Sequence, residues 1–472
     1  MRNHNEVRIQ IETDQRKTGS HDILESLWSP KTQRVHAWMA LIIDGMLPFS
    51  FCENERARQF LKFDSIARNT LVKYMGKLTE IVEKKLAAHL PEKFALVFDG
   101  WSASDSHHFV ALFATFPEKN EVGYSKVLLT ISPLGDGTSY TSQDHYDFIT
   151  YSLSVYGKTW DNIVCLIGDN CNTNKALATQ ARRPLVGCAS HRFNLAVKDQ
   201  LKDYADILSN INTLMKKLKN LIPAAKLRKH TLLQPKCSNA TRWSSTFEML
   251  KRYKEIQQYL PLLNIQEIDN LTPSQRDVHT LDHLLTVMID LDSVTKALQG
   301  DGVTMFDVRT LFDEVMVLYN GTSERLGLDA SIIHDKVFKN AILKIQKGEE
   351  NTLTTEETIK VSTLRTTQKK GEAINAVISL DSLAERALKK RKVFSVESSL
   401  YGDTRFIVPT SNMCERLFSE AGYGRNSRRL RLLDTHFESQ LFLRSNKRFW
   451  DLKEIHEILK GEKEDVSLTV EK

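Results

Sequence analysis

The feature that most constrains this chain is a change of hydrophobic period in its middle. Up to about residue 90 the apolar spacing is helical. Val35 to Leu47 sets Trp38, Leu41, Ile42 and Met46 along one face and stops at Pro48, and a second helical tract runs from about 54 to 90, ending at Pro91. Three compact apolar runs then follow, Phe94 to Phe98, Phe109 to Phe116 and Val127 to Ile131, with turn-like breaks at Trp101 to Ser106 and Pro117 to Asn120. Short runs of this kind read as buried strands. Beyond a loop at Gly135-Asp136-Gly137 the pattern alternates: a helix from Ser142 to Tyr156, a strand from Ile163 to Ile167, a helix near Asn174 to Arg182, a short strand from Leu185 to Cys188, and a long helix from about Phe193 to Leu218.

Three strands joined by short turns favour antiparallel pairing, and the helical crossovers after them favour parallel strands. The order fits an α/β fold with a mixed five-stranded sheet of the ribonuclease H-like type. In such a sheet the first and fourth strands run side by side, so the carboxylates that follow them, Asp99 and Asp169, are expected to meet at the sheet edge where ligands bind. From about 245 to 395 the spacing is helical again (His283 to Leu298, Phe306 to Tyr319), Gly348 to Gly371 reads as a loop or linker, and Phe406-Ile407-Val408 looks strand-like before a last helical block from Asn412. The resulting division is an N-terminal helical region over 1–90, a first part of the core over 91–244, an all-helical insertion and linker over 245–405, and a C-terminal region over 406–472 that completes the core.

Composition narrows the class. Hydrophobic residues make up 41% and charged residues 26%, which is a globular balance, and no apolar stretch is long enough to span a bilayer. The first residues lack the apolar segment of a secretory signal. The six cysteines are scattered, several in or beside apolar runs, and read as reduced thiols rather than a disulfide framework. The net charge of +6 is mild for 472 residues, so its meaning depends on where the cations cluster.

A single Asp after a buried strand is ordinarily a turn or cap residue. The pair Asp99 and Asp169 carries more, because the element order predicts that they approach. A further helical carboxylate would give a set of hard oxygen ligands suited to Mg²⁺ or Mn²⁺ and to phosphoryl transfer. The residue pattern by itself does not choose Glu415 over Glu420 or Asp105. Cys188-Ala189-Ser190-His191 offers two zinc ligands with no second pair at a suitable distance, so His191 reads as a phosphate contact or a helix-start residue. Arg242-Trp243 reads either as a helix anchor or as a base-stacking platform beside a phosphate-binding cation. Two stretches concentrate positive charge: Lys216, Lys217, Lys219, Lys226, Arg228 and Lys229, and then Arg425, Arg428, Arg429 and Arg431. Each is either a solvated face or a phosphate-backbone contact.

Phe98-Asp99-Gly100-Trp101-Ser102, Gly168-Asp169-Asn170, Cys188 to His191, Thr241-Arg242-Trp243 and above all Cys414-Glu415-Arg416-Leu417-Phe418-Ser419-Glu420-Ala421-Gly422 together resemble the hAT transposase superfamily. Leu441-Phe442-Leu443-Arg444-Ser445-Asn446 resembles the close of its C-terminal dimerisation region. The resemblance covers roughly 35 to 452. It implies a ribonuclease H-like core interrupted by a helical insertion, and cut-and-paste DNA transposition in the nucleus using Mg²⁺ at Asp99, Asp169 and Glu415. It also implies self-association through the C-terminal region. His191 is then expected near the scissile phosphate, and Arg242 and Trp243 beside a flipped base; Lys216, Lys217, Arg428 and Arg429 would contact DNA. Two departures stand out: no Cys-x-x-Cys with paired histidines of the BED finger type is present, and the insertion is short. Lys389-Lys390-Arg391-Lys392 reads as an import signal or a solvated helix end. A second reading, a domesticated copy that binds DNA and dimerises without catalysis, stays open beside the enzyme.

Overall fold

The computed structural model describes residues 28–61, 64–103, 107–118, 123–134, 140–239, 242–365, 400–425 and 433–470. The loop at Gly135-Asp136-Gly137, the cluster Lys389 to Lys392, Thr241, and Arg428, Arg429 and Arg431 lie outside the described residues.

In chain order the main elements are α1 (Pro30–Asp44), α2 (Glu55–Leu61), α3 (Arg68–His89), β1 (Phe94–Ser102), β2 (His108–Pro117), β3 (Tyr124–Pro133), α4 (Ser142–Val155), β4 (Ile163–Gly168), α5 (Asn172–Ala181), β5 (Leu185–Gly187), α6 (Ala189–Leu201), α7 (Ala205–Leu218), α8 (Leu221–Leu227), α9 (Trp243–Ile256), α10 (Gln275–Leu298), α11 (Met305–Leu318), α12 (Lys336–Lys347), α13 (Thr355–Lys360), α14 (Asn412–Gly424), α15 (Asp434–Ser445) and α16 (Leu452–Val470). The strands form one open five-stranded sheet in the order β3-β2-β1-β4-β5. The links from β1 to β2 and from β2 to β3 are too short for a parallel crossover, so these pairs are antiparallel. β4 and β5 pair in parallel, with Leu166 opposite Leu185 and Gly168 opposite Gly187. The sheet is therefore mixed, and the chain is an α/β protein that is mostly helical.

Four expectations differ from what forms. The helical tract from 54 to 90 is two helices, because Asp64 to Ala67 is not helical; Glu53 Oε1 accepts from the Arg68 backbone N–H at 2.8 Å and starts α3 afresh. The long helix from 193 to 218 is also two, broken by a tight 3₁₀ turn at Lys202–Tyr204. Phe406-Ile407-Val408 is buried but is a turn, closed by the Ile407 N–H on Thr404 O at 3.0 Å; three apolar residues before a proline do not distinguish a strand from a buried turn. Within the expected loop after Gly348, α13 forms behind the reciprocal cap of Thr354 and Glu357, a spacing readable in the sequence.

The chain divides into two compact units. One comprises residues 1–114, 126–163 and 413–472. In it α15 is tied to the turn after α1 by Gln440, whose Nε2 donates to Ile42 O at 2.7 Å and Leu47 O at 3.2 Å. Asn446, directly after α15, exchanges two bonds with the backbone of Leu128 on the edge strand β3: its Oδ1 accepts from N–H at 3.2 Å and its Nδ2 donates to C=O at 2.8 Å. The side-chain amide thus stands where a neighbouring strand would pair. Leu441, Phe442 and Leu443, at the close of the segment that resembles a dimerisation region, are buried.

The other unit comprises 115–125 and 164–412. Its helical part packs Phe193, Leu214, Trp243, Leu250, Leu284, Met288, Leu311 and Phe312 into one core drawn from α6, α7, α9, α10 and α11. Among the described residues no helix is long and apolar enough to cross a membrane.

Asn446→Ala should destabilise the chain by about 3 kcal/mol, since two bonds go and the Leu128 amide and carbonyl are left buried and unpaired. Urea unfolding checks this; a loss below about 1 kcal/mol contradicts the clamp.

Candidate functional site

In the first unit the site is built from β1 and α14. Phe94 to Phe98 are buried, and the strand surfaces at Asp99. Val97, Asp99 and Trp101 share one strand face, since side chains alternate. α14 lies along that face. The Cys414 thiol sits 4.0 Å from Val97 O, and the Phe418 ring stacks on Trp101 with centroids 6.0 Å apart and planes 17° from parallel. These two contacts bracket Asp99 on the strand and Glu415 on the helix, both half-buried. Asp99 Oδ1 also accepts from the Gly100 N–H at 2.8 Å.

The Trp101–Phe418 stack belongs to an aromatic box. Phe109 of β2 lies 5.8 Å from Trp101, and Phe437 of α15 lies 5.6 Å from Phe109. The Arg425 guanidinium covers Phe109 at 4.9 Å and Phe437 at 5.6 Å, and it pairs with Asp434. Arg425 is only 3% exposed, so it braces the end of α14 and is withdrawn from the basic run to which its position in the sequence assigned it.

In the second unit the turn after β4 carries Asp169. Gly168 O accepts from the Cys188 N–H at 2.7 Å, and the buried Asn170 side chain donates to Cys188 O at 3.3 Å. Asn174 donates to Asp169 O at 2.9 Å. These bonds lock the turn to the start of α6, and His191 in the first turn of α6 meets Asp169 with Nδ1 to Oδ2 at 3.0 Å. A carboxylate on Nδ1 orients the imidazole ring and favours the tautomer that carries its proton on Nδ1. Cys188 stays in the core: burial, helped by the Asp169 charge, pushes its thiol up to about 12, and its sulfur accepts from the Ser411 N–H at 3.4 Å. The His191 backbone also bonds to the Cys188 sulfur, so the buried thiol helps seat the start of α6.

The structure thus brings His191 to Asp169, and α14 with Glu415 to the β1 face with Asp99. Among the described residues no group of three or more His, Cys, Asp or Glu could hold a metal ion. Mg²⁺ commonly takes one or two carboxylates and completes its shell with water and substrate phosphates. Asp99 and Glu415 carry oxygen donors of that type.

The expected DNA contacts divide. Arg242 is exposed, with its backbone N–H on Asn239 Oδ1 at 3.2 Å. Trp243 is 3% exposed, with its ring 6.1 Å from Phe247 and its backbone N–H on Asn194 Oδ1 at 3.1 Å, so in this conformation the indole anchors α9 and offers no face to a base. Lys216 and Lys217 are exposed in the last turn of α7, and Lys217 reaches Glu267 at 3.1 Å. Arg428 and Arg429 lie outside the described residues. Sequence reasoning noted Asn170 only as part of a motif and passed over Asn174 and Gly187. A Cβ on Gly187 would stand 1.6 Å from Asn170 Oδ1, so only glycine leaves room for the amide that locks the Asp169 turn.

Compared with known proteins, the chain matches no protein-family model and no curated protein.

Gly187→Ala should cost about 2–3 kcal/mol through overpacking against Asn170. Chemical denaturation measures it; a neutral substitution contradicts the seat described for the amide.

Proposed function

We propose that the chain is a hAT-type transposase, or a protein derived from one, that binds and cuts DNA using Asp99, Asp169 and Glu415. The observation that carries this reading is the seating of α14 on β1, which sets the most family-specific segment, Cys414 to Gly422, against the strand bearing Asp99. The order of strands and helices along the sequence and the resemblance of Gly168-Asp169-Asn170 support adding Asp169. Mg²⁺ or Mn²⁺ bound by these carboxylates and by substrate phosphate oxygens would supply Lewis-acid stabilisation of the transferring phosphoryl group. The residues of the chain do the rest. His191, oriented by Asp169, contacts a phosphate oxygen of the DNA. Arg242, Lys216 and Lys217 hold backbone phosphates, and a nuclear location follows from the substrate.

The chain should cleave nicked or branched DNA in the presence of Mg²⁺ or Mn²⁺. Asp99→Asn and Glu415→Gln should each lower that cleavage at least about 100-fold, roughly 2.7 kcal/mol of transition-state stabilisation, with unfolding midpoints unchanged. Equal activity in both variants contradicts the site.

A second reading is favoured by one observation: Asp169 is engaged by His191. In it the chain binds DNA and has lost cleavage. Mg²⁺ titration by calorimetry on the DNA complex separates the two, since heat that disappears in Asp99→Asn belongs to the enzyme and no binding heat belongs to its derivative.

Self-association through the C-terminal region is part of the proposal. With Leu441 to Leu443 buried, the contact falls to exposed apolar residues such as Tyr423, 80% exposed, and Leu433. Sedimentation should show a dimer that Tyr423→Asp with Leu433→Asp converts to monomer; a monomeric parent chain contradicts this.

A further inference from the structure

Between Lys216 and Lys236 the sequence contains no Asp or Glu. Ordinary helix chemistry accounts for part of the charge there, because Lys216 and Lys217 end α7, where cations complement the helix dipole. Lys226 is also accounted for. Its Nζ donates to Leu263 O at 2.7 Å and Asn264 O at 3.3 Å, and together with the buried Leu227 it fixes α8 to the body of its unit.

That chemistry does not explain what stands among the cations. Leu221 and Ile222, the first two residues of α8, are 82% and 66% exposed. Leaving two such side chains in water forgoes the stabilisation that burial would bring. Their base is rigid, because Pro223 fixes the backbone of the first turn and Lys226 and Leu227 pin its end. Lys219, Arg228 and Lys229, all exposed, flank them and pair with no carboxylate among the described residues.

We propose that Leu221 and Ile222 form an apolar wedge that enters the minor groove of duplex DNA and opens a base step, while Lys216, Lys219, Arg228 and Lys229 hold the phosphates on either side. This rests on the DNA-handling reading above and names how the duplex is deformed. Rigid leucine or isoleucine tips among phosphate-binding cations are a recurrent means of kinking DNA. A bilayer surface is the other anionic partner, but it takes a continuous apolar helix face. α8 has only two turns and turns Leu227 into the core.

The test uses the full chain and a duplex labelled at both ends, reading bend by energy transfer and affinity by anisotropy across a salt series. The parent chain should bend the duplex by an angle within about 20–90°. Leu221→Ala with Ile222→Ala should abolish the bend and keep the salt dependence. Lys219→Ala, Arg228→Ala and Lys229→Ala together should lower the salt slope by about three. A double-alanine variant that bends DNA as the parent does overturns the wedge, while carboxylate-dependent cleavage in that same variant leaves the proposed function standing. A parent chain that binds no duplex overturns both. Loss in the double variant of binding to phosphatidylserine vesicles, or a shift in its sedimenting mass, with DNA bending intact, assigns the patch to a membrane or to a second copy and also overturns the wedge.

Discussion

The first unit depends on the contact of α14 with β1. Of the two interactions that hold it, the cysteine contact at 4.0 Å is weak, in the range below about 1 kcal/mol. The aromatic box is the stronger. Each well-placed ring pair adds about 0.5–1.5 kcal/mol beyond the area it buries, and a desolvated guanidinium over a ring adds about 2 kcal/mol. Trp101, Phe109, Phe418 and Phe437 with Arg425 therefore set where α14 lies, and with it where Glu415 stands relative to Asp99. A residue more than 300 positions along the chain is placed by rings two residues beyond the first carboxylate and three beyond the last.

A different device places the second unit's acid. Asp169 sits in a turn locked by backbone and amide bonds, and the cost of that lock is a glycine at 187 that no other residue can replace without moving Asn170. Polar geometry of this kind is directional, so it fixes His191 against Asp169 at 3.0 Å where apolar packing alone would leave the ring free to turn.

Much of the fold was legible because it rests on period. The runs at Phe94, Phe109, Val127, Ile163 and Leu185 all became strands, since buried strands leave continuous apolar runs. What period cannot show is where a helix restarts: Asp64 to Ala67 and Lys202 to Tyr204 interrupt stretches whose apolar spacing continues on both sides. Nor can it tell a short buried turn such as Phe406 to Val408 from a strand. At the candidate site, Asp99 and Asp169 stand out because each follows an apolar run, and Glu415 only through the resemblance of its segment. The burial of Trp243 and Arg425 could not, because an aromatic or an arginine reads alike from sequence whether it faces a base or a core. Asn446 was seen only as the end of a motif, and its bonds to Leu128 depend on a strand more than 300 residues earlier.

The central claim is that the Trp101–Phe418 stack seats α14 on β1 and so brings Glu415 to the strand that carries Asp99. A double-mutant cycle on folding stability with Trp101→Leu and Phe418→Leu tests it most directly. The account predicts a coupling of about 1 kcal/mol, as for an aromatic pair in contact. Additivity within about 0.3 kcal/mol would contradict it.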